Sequence, residues 1–199
     1  MPASHAKGFT LVEALVVIAI GGIVTAFAVP GFQGFLGERR VFAAAADYAS
    51  SLRVAQAEAI RRNRSVEVLF TSTEAIPANT VSATAVSSSS GRNRLTRVVR
   101  PSGTSDWVQG SNAATGGSEV NVDAGTVRSI AFTPIGRPID FTVPPGSALA
   151  GTLMVRFTDA PTGRRVCTLL STAGSVRVCD PQRAAGDAYG CPATLPEPC

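Results

Sequence analysis

Gly8-Phe9-Thr10-Leu11-Val12-Glu13 opens an apolar run that continues to Val29, and the reading of this stretch decides how the rest of the chain is placed. The 21 residues from Phe9 to Val29 carry one charge, Glu13. At about 1.5 Å of rise per residue, a helix of that length just crosses a hydrocarbon core of roughly 30 Å. The expectation is a membrane-spanning helix over residues 9–29. A carboxylate inside such a segment costs about 2.5 to 3.5 kcal/mol on insertion scales, so Glu13 requires a cationic partner. A cut between Gly8 and Phe9 would create an α-amino group on the same end of the helix, and that group on a neighbouring copy would meet the carboxylate.

Residues 1–8 are short, polar and basic, which suits a cytoplasmic flank and sends the remainder to the outer side of the membrane. A competing reading exists at Ala26-Phe27-Ala28, a small-x-small site for ordinary signal peptidase. On that reading residues 1–28 are removed and a conventionally secreted β-rich domain remains. It leaves Glu13 inside the apolar region and the junction before Phe9 without a reason.

The 199 residues suffice for one membrane helix and one compact domain. The net charge of +4 comes almost wholly from Arg, since Lys7 is the sole Lys and stands before the Gly8–Phe9 junction. A modest basic excess of this kind reads as solvated surface. Cys167, Cys179, Cys191 and Cys199 are an even set in a segment placed outside the cytoplasm, and they read as disulfides. Their spacings of 12, 12 and 8 residues match no compact Cys-x-x-Cys ligand pair, so no metal is expected.

Past the apolar run, Pro30, Gly31, Gly34 and Gly37 are poor helix residues in close succession, and Pro30 lacks the backbone donor. A kink or locally melted turn is expected there. From Glu38 to Arg64 the helical pattern returns, with Val41, Ala45, Tyr48, Leu52, Ala55 and Ala59 on one stripe and Arg39, Arg53, Glu58 and Arg61 opposite. The small residues of the stripe suit a helix lying closely on a sheet. Short β-rich runs follow at residues 65–71, 95–100, 127–133, 152–158, 165–171 and 175–179. Residues 71–91 read as a long excursion, with Val81 to Val86 able to pair weakly, and residues 103–117 read as a loop anchored by Trp107. The fold class is α+β: a long N-terminal helix packed on a C-terminal antiparallel sheet. The boundaries are leader 1–8, membrane helix 9–29, helix continuing through 30–64, and β-rich head 65–199.

The last two runs fix a register. If Thr172 to Gly174 form the turn, Cys167 faces Cys179. Val166, Thr168, Leu170, Val176 and Val178 then share one face, and Arg165, Leu169, Ser175 and Arg177 share the other with the two Cys. The expected bridges are Cys167 to Cys179 and Cys191 to Cys199, although four Cys permit three connectivities.

Lys7 to Glu13 resembles the leader junction of type IV pilins and type II secretion pseudopilins. The resemblance implies a prepilin peptidase that cuts after Gly8 and N-methylates Phe9. It gives Glu13 an assembly role, in which the carboxylate engages the N-terminus of an adjacent subunit, and it places Pro30 where pilins carry a helix-kinking proline. The layout of helix and strands, with its tied C-terminal hairpin, is similar to the GspH/FimT branch of that family. Members are minor subunits held in the bacterial inner membrane with a periplasmic head and built into a filament, often near its tip, so the implied partners are other pilins or pseudopilins. FimT-type members are thought to bind double-stranded DNA through Gly-Arg-x-Arg near the C-terminus. The matching stretch is Gly174-Ser175-Val176-Arg177, in which Ser175 replaces the first Arg, with Arg164, Arg165 and Arg183 around it. Gly91-Arg92-Asn93-Arg94 spells the motif in another part of the chain.

Enzymatic chemistry is the least supported class. The sole His, His5, lies in the leader, so a mature chain offers no imidazole for a Ser-His-Asp arrangement. Asp140, Asp159 and Asp180 are scattered, Asp123 and Asp159 form no loop of alternating oxygen ligands, and no cofactor is expected.

Overall fold

The computed structural model describes residues 9–76, 88–100, 105–112, 117–142, 146–193, 195 and 199, without the side chains of residues 28–33. The expected leader and the weak pairing of Val81 to Val86 lie outside the described residues. The chain divides after Leu36 into two compact units.

Helix α1, Leu11–Arg62, starts at Thr10, whose Oγ1 accepts a hydrogen bond from the Glu13 backbone N–H at 3.2 Å. Thr10 is thus the N-cap, and Glu13 stands at the third helical position, where a carboxylate complements the positive end of the helix dipole. The helix ends at Asn63, a non-glycine residue at φ 50°. Asn63 N donates to Ile60 O and Arg64 N to Ala59 O, both at 3.2 Å. These two bonds satisfy carbonyls that the last turn would leave open, as in a Schellman motif. Helical structure runs through Pro30 without interruption, so the locally melted turn expected there does not occur.

The second unit, from Gly37 onward, contains two antiparallel sheets. The larger orders its strands β3-β2-β1-β5-β6-β7: β1 Val66–Thr71, β2 Asn93–Val99, β3 Ser105–Ser111, β5 Ser129–Phe132, β6 Pro138–Asp140 and β7 Ser147–Ala148. The smaller orders them β10-β9-β8-β4: β4 Val120–Asp123, β8 Leu153–Asp159, β9 Arg165–Leu170 and β10 Val176–Cys179. Both sheets send side chains into one core with the C-terminal half of α1. Val41, Ala45, Tyr48, Leu52, Ala55 and Ala59, the stripe read from the sequence, are each fully buried. Facing them are Val66, Val68 and Phe70 of β1, Ile130 and Phe132 of β5, and Val155, Phe157, Val166 and Leu170 of β8 and β9. Full burial of a side chain such as Leu52 contributes about 1.5 to 3 kcal/mol.

Four strands lie outside the six runs read from the sequence: the short β6 and β7, and two longer ones. Ser105–Ser111 forms β3, where a loop is expected, and Val120–Asp123 forms β4. Trp107 nevertheless anchors as expected, packing against the cluster of Leu69, Ala75 and Leu95. Because that cluster covers the other side of β1, all six β1 residues are buried, Glu67 included.

Candidate assembly site and the cationic surface

Phe9, Leu11, Val12, Leu15, Val16, Val17, Ile18 and Ile20 surround Glu13 in sequence, and all of these apolar side chains are exposed. Glu13 is itself exposed. No helix among the described residues is long and apolar enough to cross a membrane. The apolar run expected to end at Val29 reaches the described side chains only as far as Phe27. Gly8 lies outside the described residues, and the side chain of Pro30 does as well.

Of the arginines singled out for nucleic-acid contact, Arg165, Arg177 and Arg183 are exposed, and Arg164 and Arg183 both reach Asp180. Arg164 is turned inward: its Nη2 donates to Asp180 Oδ2 at 2.5 Å and lies 3.8 Å from Glu38 Oε1. Burial works against the Asp180 carboxylate, but hydrogen bonds from Arg164 and the Gln182 backbone, with the charges of Arg164 and Arg183, hold it below the usual carboxylate range. Arg183 lies 3.5 Å from Asp180 and stacks over Tyr189 with 5.9 Å to the ring centroid. Arg177 Nη2 donates to the Gly190 carbonyl at 2.5 Å. Arg165 is exposed at the start of β9. Gly174 sits in the turn at the far end of the hairpin with φ +90°, where a Cβ would meet Gln56 Nε2 at 2.5 Å. The turn and its close packing on α1 account for this glycine without a ligand.

The second Arg-rich stretch is built into the sheet. Arg94 is buried, with its guanidinium paired to Asp47 and hydrogen-bonded to Ser51 Oγ at 3.1 Å and Ser111 Oγ at 2.7 Å. It lies 4.7 Å from the centroid of the Tyr48 ring. Burial pushes the Arg94 guanidinium down from its ordinary value, against the opposing charge of Asp47, and burial pushes the Tyr48 phenol well up. Arg97 pairs with buried Glu67 at 2.7 Å, Glu67 also accepts from Ser129 Oγ at 2.5 Å, and Arg100 pairs with Asp106. Arg92 Nη1 donates to the Gly117 carbonyl at 3.3 Å. The Gly91 to Arg94 motif thus serves packing and sheet pairing. Sequence reasoning missed both buried ion pairs. The available signal was the alternation of Glu67 and Arg97 with apolar neighbours in strands whose two faces are both covered.

Among the scattered acids, Asp159 is fully buried at the end of β8. Its Oδ2 accepts from Thr162 Oγ1 at 2.6 Å, and its Oδ1 lies 3.6 Å from Arg40 Nη1. Gly37 packs so tightly here that a Cβ would meet Asp159 Oδ2 at 2.7 Å. Arg40, which also pairs with Glu119, and the Asp159 turn therefore clamp the start of the buried part of α1 to the smaller sheet.

The hairpin register is the one read from the sequence: Cys179 opposes Cys167, and Val176 opposes Leu170. The bridges differ. Cys167 bonds Cys199, and Cys179 bonds Cys191. The reason is the chain after Cys179, which folds back over the face carrying both strand sulfurs and packs there with Leu169, Met154 and Leu195. Each strand Cys meets a Cys of that returning segment, so the hairpin is tied to the C-terminus and not to itself.

A long N-terminal helix whose second half packs on an antiparallel β-sheet head, behind an apolar N-terminal motif, defines the pilin-like class. The sequence matches two family descriptions: "Prokaryotic N-terminal methylation motif" over residues 3–29 and "Type II transport protein GspH" over residues 44–174. The second match covers more than half of the chain, which belongs to the GspH family. The solved structure of the type IV minor pilin FimU of Pseudomonas aeruginosa is similar in fold, with TM-score 0.52 and 16% identity, covering 78% of this chain and 99% of that one. The minor pseudopilin EpsH of the Vibrio cholerae type 2 secretion system aligns at TM-score 0.46 and 9% identity, over 72% of this chain and 99% of that one. No curated protein matches.

Proposed function

We propose that the chain is a minor subunit of a type IV pilus or a type II secretion pseudopilus. It is made as a precursor, cut by a prepilin peptidase after Gly8 and methylated on Phe9. Residues 9–29 hold it in the inner membrane as a single span until assembly, with the head in the periplasm. In the filament the apolar half of α1 packs among other pilins or pseudopilins, and Glu13 meets the N-terminal amine of a neighbour.

The observation that carries this reading is the contrast between Glu13 and what surrounds it. It is the sole charge in a 21-residue apolar run, and the large apolar side chains around it are exposed. Its cap partner Thr10 supplies a hydroxyl and no positive charge. A carboxylate moved into lipid or a packed helix bundle needs a cation, and a new amine at Phe9 of another copy provides one.

Glu13→Ala separates this role from helix capping. The variant is expected to insert normally and keep its head folded, yet to be lost from sheared filament fractions, as read by immunoblot against the membrane fraction. Incorporation at the parent level would sink the assembly role of the carboxylate.

A further inference from the structure

Taken in chain order, the first cysteine is bonded to the last and the two between them to each other, as Cys167 with Cys199 and Cys179 with Cys191. The hairpin by itself favours another pairing. β9 and β10 set Cys167 directly opposite Cys179. Opposed residues of an antiparallel pair lie about 4.5 to 5.5 Å apart at Cα, inside the span of about 4.4 to 6.8 Å that a disulfide bridges. Only the turn of the hairpin is needed to bring them together, whereas Cys199 lies 32 residues from Cys167. Synthesis also runs from Cys167 toward Cys199, so the hairpin pair is complete before Cys191 and Cys199 arrive. Once Cys167 is bonded to Cys179, those two are left to each other.

The native pairing is favoured by the returning segment. The Asp180 N–H donates to the Tyr189 carbonyl at 2.7 Å, and a backbone bridge joins Asp180 to Gly190. That bridge brings Cys179 and Cys191, one residue to either side of it, to 4.8 Å at Cα. Arg177 Nη2 holds the Gly190 carbonyl, and Leu195 packs with Leu169 and Met154 over the sulfurs. These contacts exist only when the segment lies on the sheet. The hairpin bridge, by contrast, closes at a cost. Opposed Cβ atoms lie about 4.5 to 5.5 Å apart, against about 3.5 to 4.5 Å in a relaxed disulfide, so the strands must pinch to form it.

We infer that the head reaches its native bridges through an intermediate that pairs Cys167 with Cys179 and Cys191 with Cys199, and that the chain is therefore a substrate of a thiol–disulfide isomerase. Each early bridge forms by passing two electrons and two protons to a disulfide donor. The intermediate holds no free thiol, so exchange requires a thiolate from outside the chain. The isomerase thiolate attacks the Cys179 sulfur, which forms a mixed disulfide and releases the Cys167 thiolate. Cys167 attacks the Cys199 sulfur and releases Cys191, and Cys191 attacks the Cys179 sulfur and returns the isomerase thiolate. As many sulfur–sulfur bonds form as break, with no net oxidation. In the finished head Cys167, Cys179 and Cys199 are buried, so the exchange comes before the segment closes. The route needs an oxidising compartment, which the bridges themselves require, and is independent of filament assembly.

Trypsin reads the pairing, because Arg177 and Arg183 divide the cysteines among residues 166–177, 178–183 and 184–199. The full-length chain in detergent micelles is reduced, unfolded in urea and diluted into a disulfide oxidant that carries no free thiol. Samples are alkylated at intervals and digested. The first oxidised form is expected to show 166–177 bonded to 178–183, with 184–199 closed on itself. A reduced dithiol isomerase in catalytic amount should then join all these peptides through Cys167 to Cys199 and Cys179 to Cys191, and speed that step by about tenfold or more. The chain carrying both Cys191→Ser and Cys199→Ser should close its hairpin bridge under the same oxidant. A first form with any other pairing overturns the inference, as does native pairing at a rate that the isomerase leaves unchanged. Retention of the first pairing in the presence of the isomerase, or an open hairpin in the double variant, overturns it too.

Discussion

The two halves of α1 are one helix with opposite surfaces. From Phe9 to Phe27 the large apolar side chains are 50% to 82% exposed, while Val41 to Ala59 present a stripe that is fully buried. The first half is aliphatic and large, with Leu, Ile, Val and Phe. The second is mostly Ala with Tyr48 and Leu52 as its bulk, which lets two sheets approach closely. Burial, capping and ion pairs within the head already satisfy the second half. The first half offers a continuous apolar surface of a size that soluble monomers rarely leave open, so its energetics belong to an environment outside the chain. Substitutions in the second half should change head stability, and substitutions in the first should change membrane or filament behaviour alone.

Asp47→Ala should have the largest effect on head stability, because it strands the buried Arg94 guanidinium. A loss of about 3 to 5 kcal/mol is expected in urea unfolding followed by Trp107 emission. Adding Arg94→Met should restore much of that loss, since the remaining cost is packing. Failure of the second change to compensate would mean that Asp47 acts through something other than this pair. Leu52→Ala should cost about 2 to 5 kcal/mol by cavity formation in the same assay. Its counterpart Val17→Ala should stay within about 0.5 kcal/mol, and a larger loss there would break the division between the halves.

The smallest effect concerns acid. Hydrogen bonds from Arg61 and Arg62 lower the Glu58 carboxylate to about 2. A carboxylate depressed in the folded state adds stability that is present above its unfolded value, near 4, and is lost as pH falls toward about 2. The pair faces solvent, so Glu58→Gln should remove no more than about 0.5 to 1 kcal/mol at neutral pH. It should also flatten the decline in urea midpoint below about pH 4. An unchanged acid profile would assign that decline to other groups, Asp180 first among them.

Which parts of this were legible in the sequence follows from the range of the interactions. The buried stripe of α1 obeys a 3.6-residue period and needs no knowledge of its partner. The β9–β10 register follows from alternation plus a three-residue turn, and it holds; the face shared by Val166, Thr168 and Leu170 meets the helix, with Thr168 Oγ1 donating to the Ala45 carbonyl at 3.0 Å. β3 was hidden because Ser105–Ser111 is polar and sits at a sheet edge, half-buried throughout. The disulfide partners were hidden because they depend on where twenty residues after Cys179 return, and neither alternation nor spacing encodes that path. The buried ion pairs are hidden for a related reason. Arg94, Arg97 and Arg164 look like surface charge in the sequence, but their acidic partners lie 16 to 47 residues away along the chain.

Intact mass and N-terminal sequence of the membrane-extracted protein, from cells that contain a prepilin peptidase, test the central claim most directly. The account predicts a chain that begins at N-methylated Phe9 and is lighter by four hydrogens than its fully reduced form. A chain that begins at Val29 would contradict it, because the exposed apolar half of α1 and Glu13 would then be discarded before they could act.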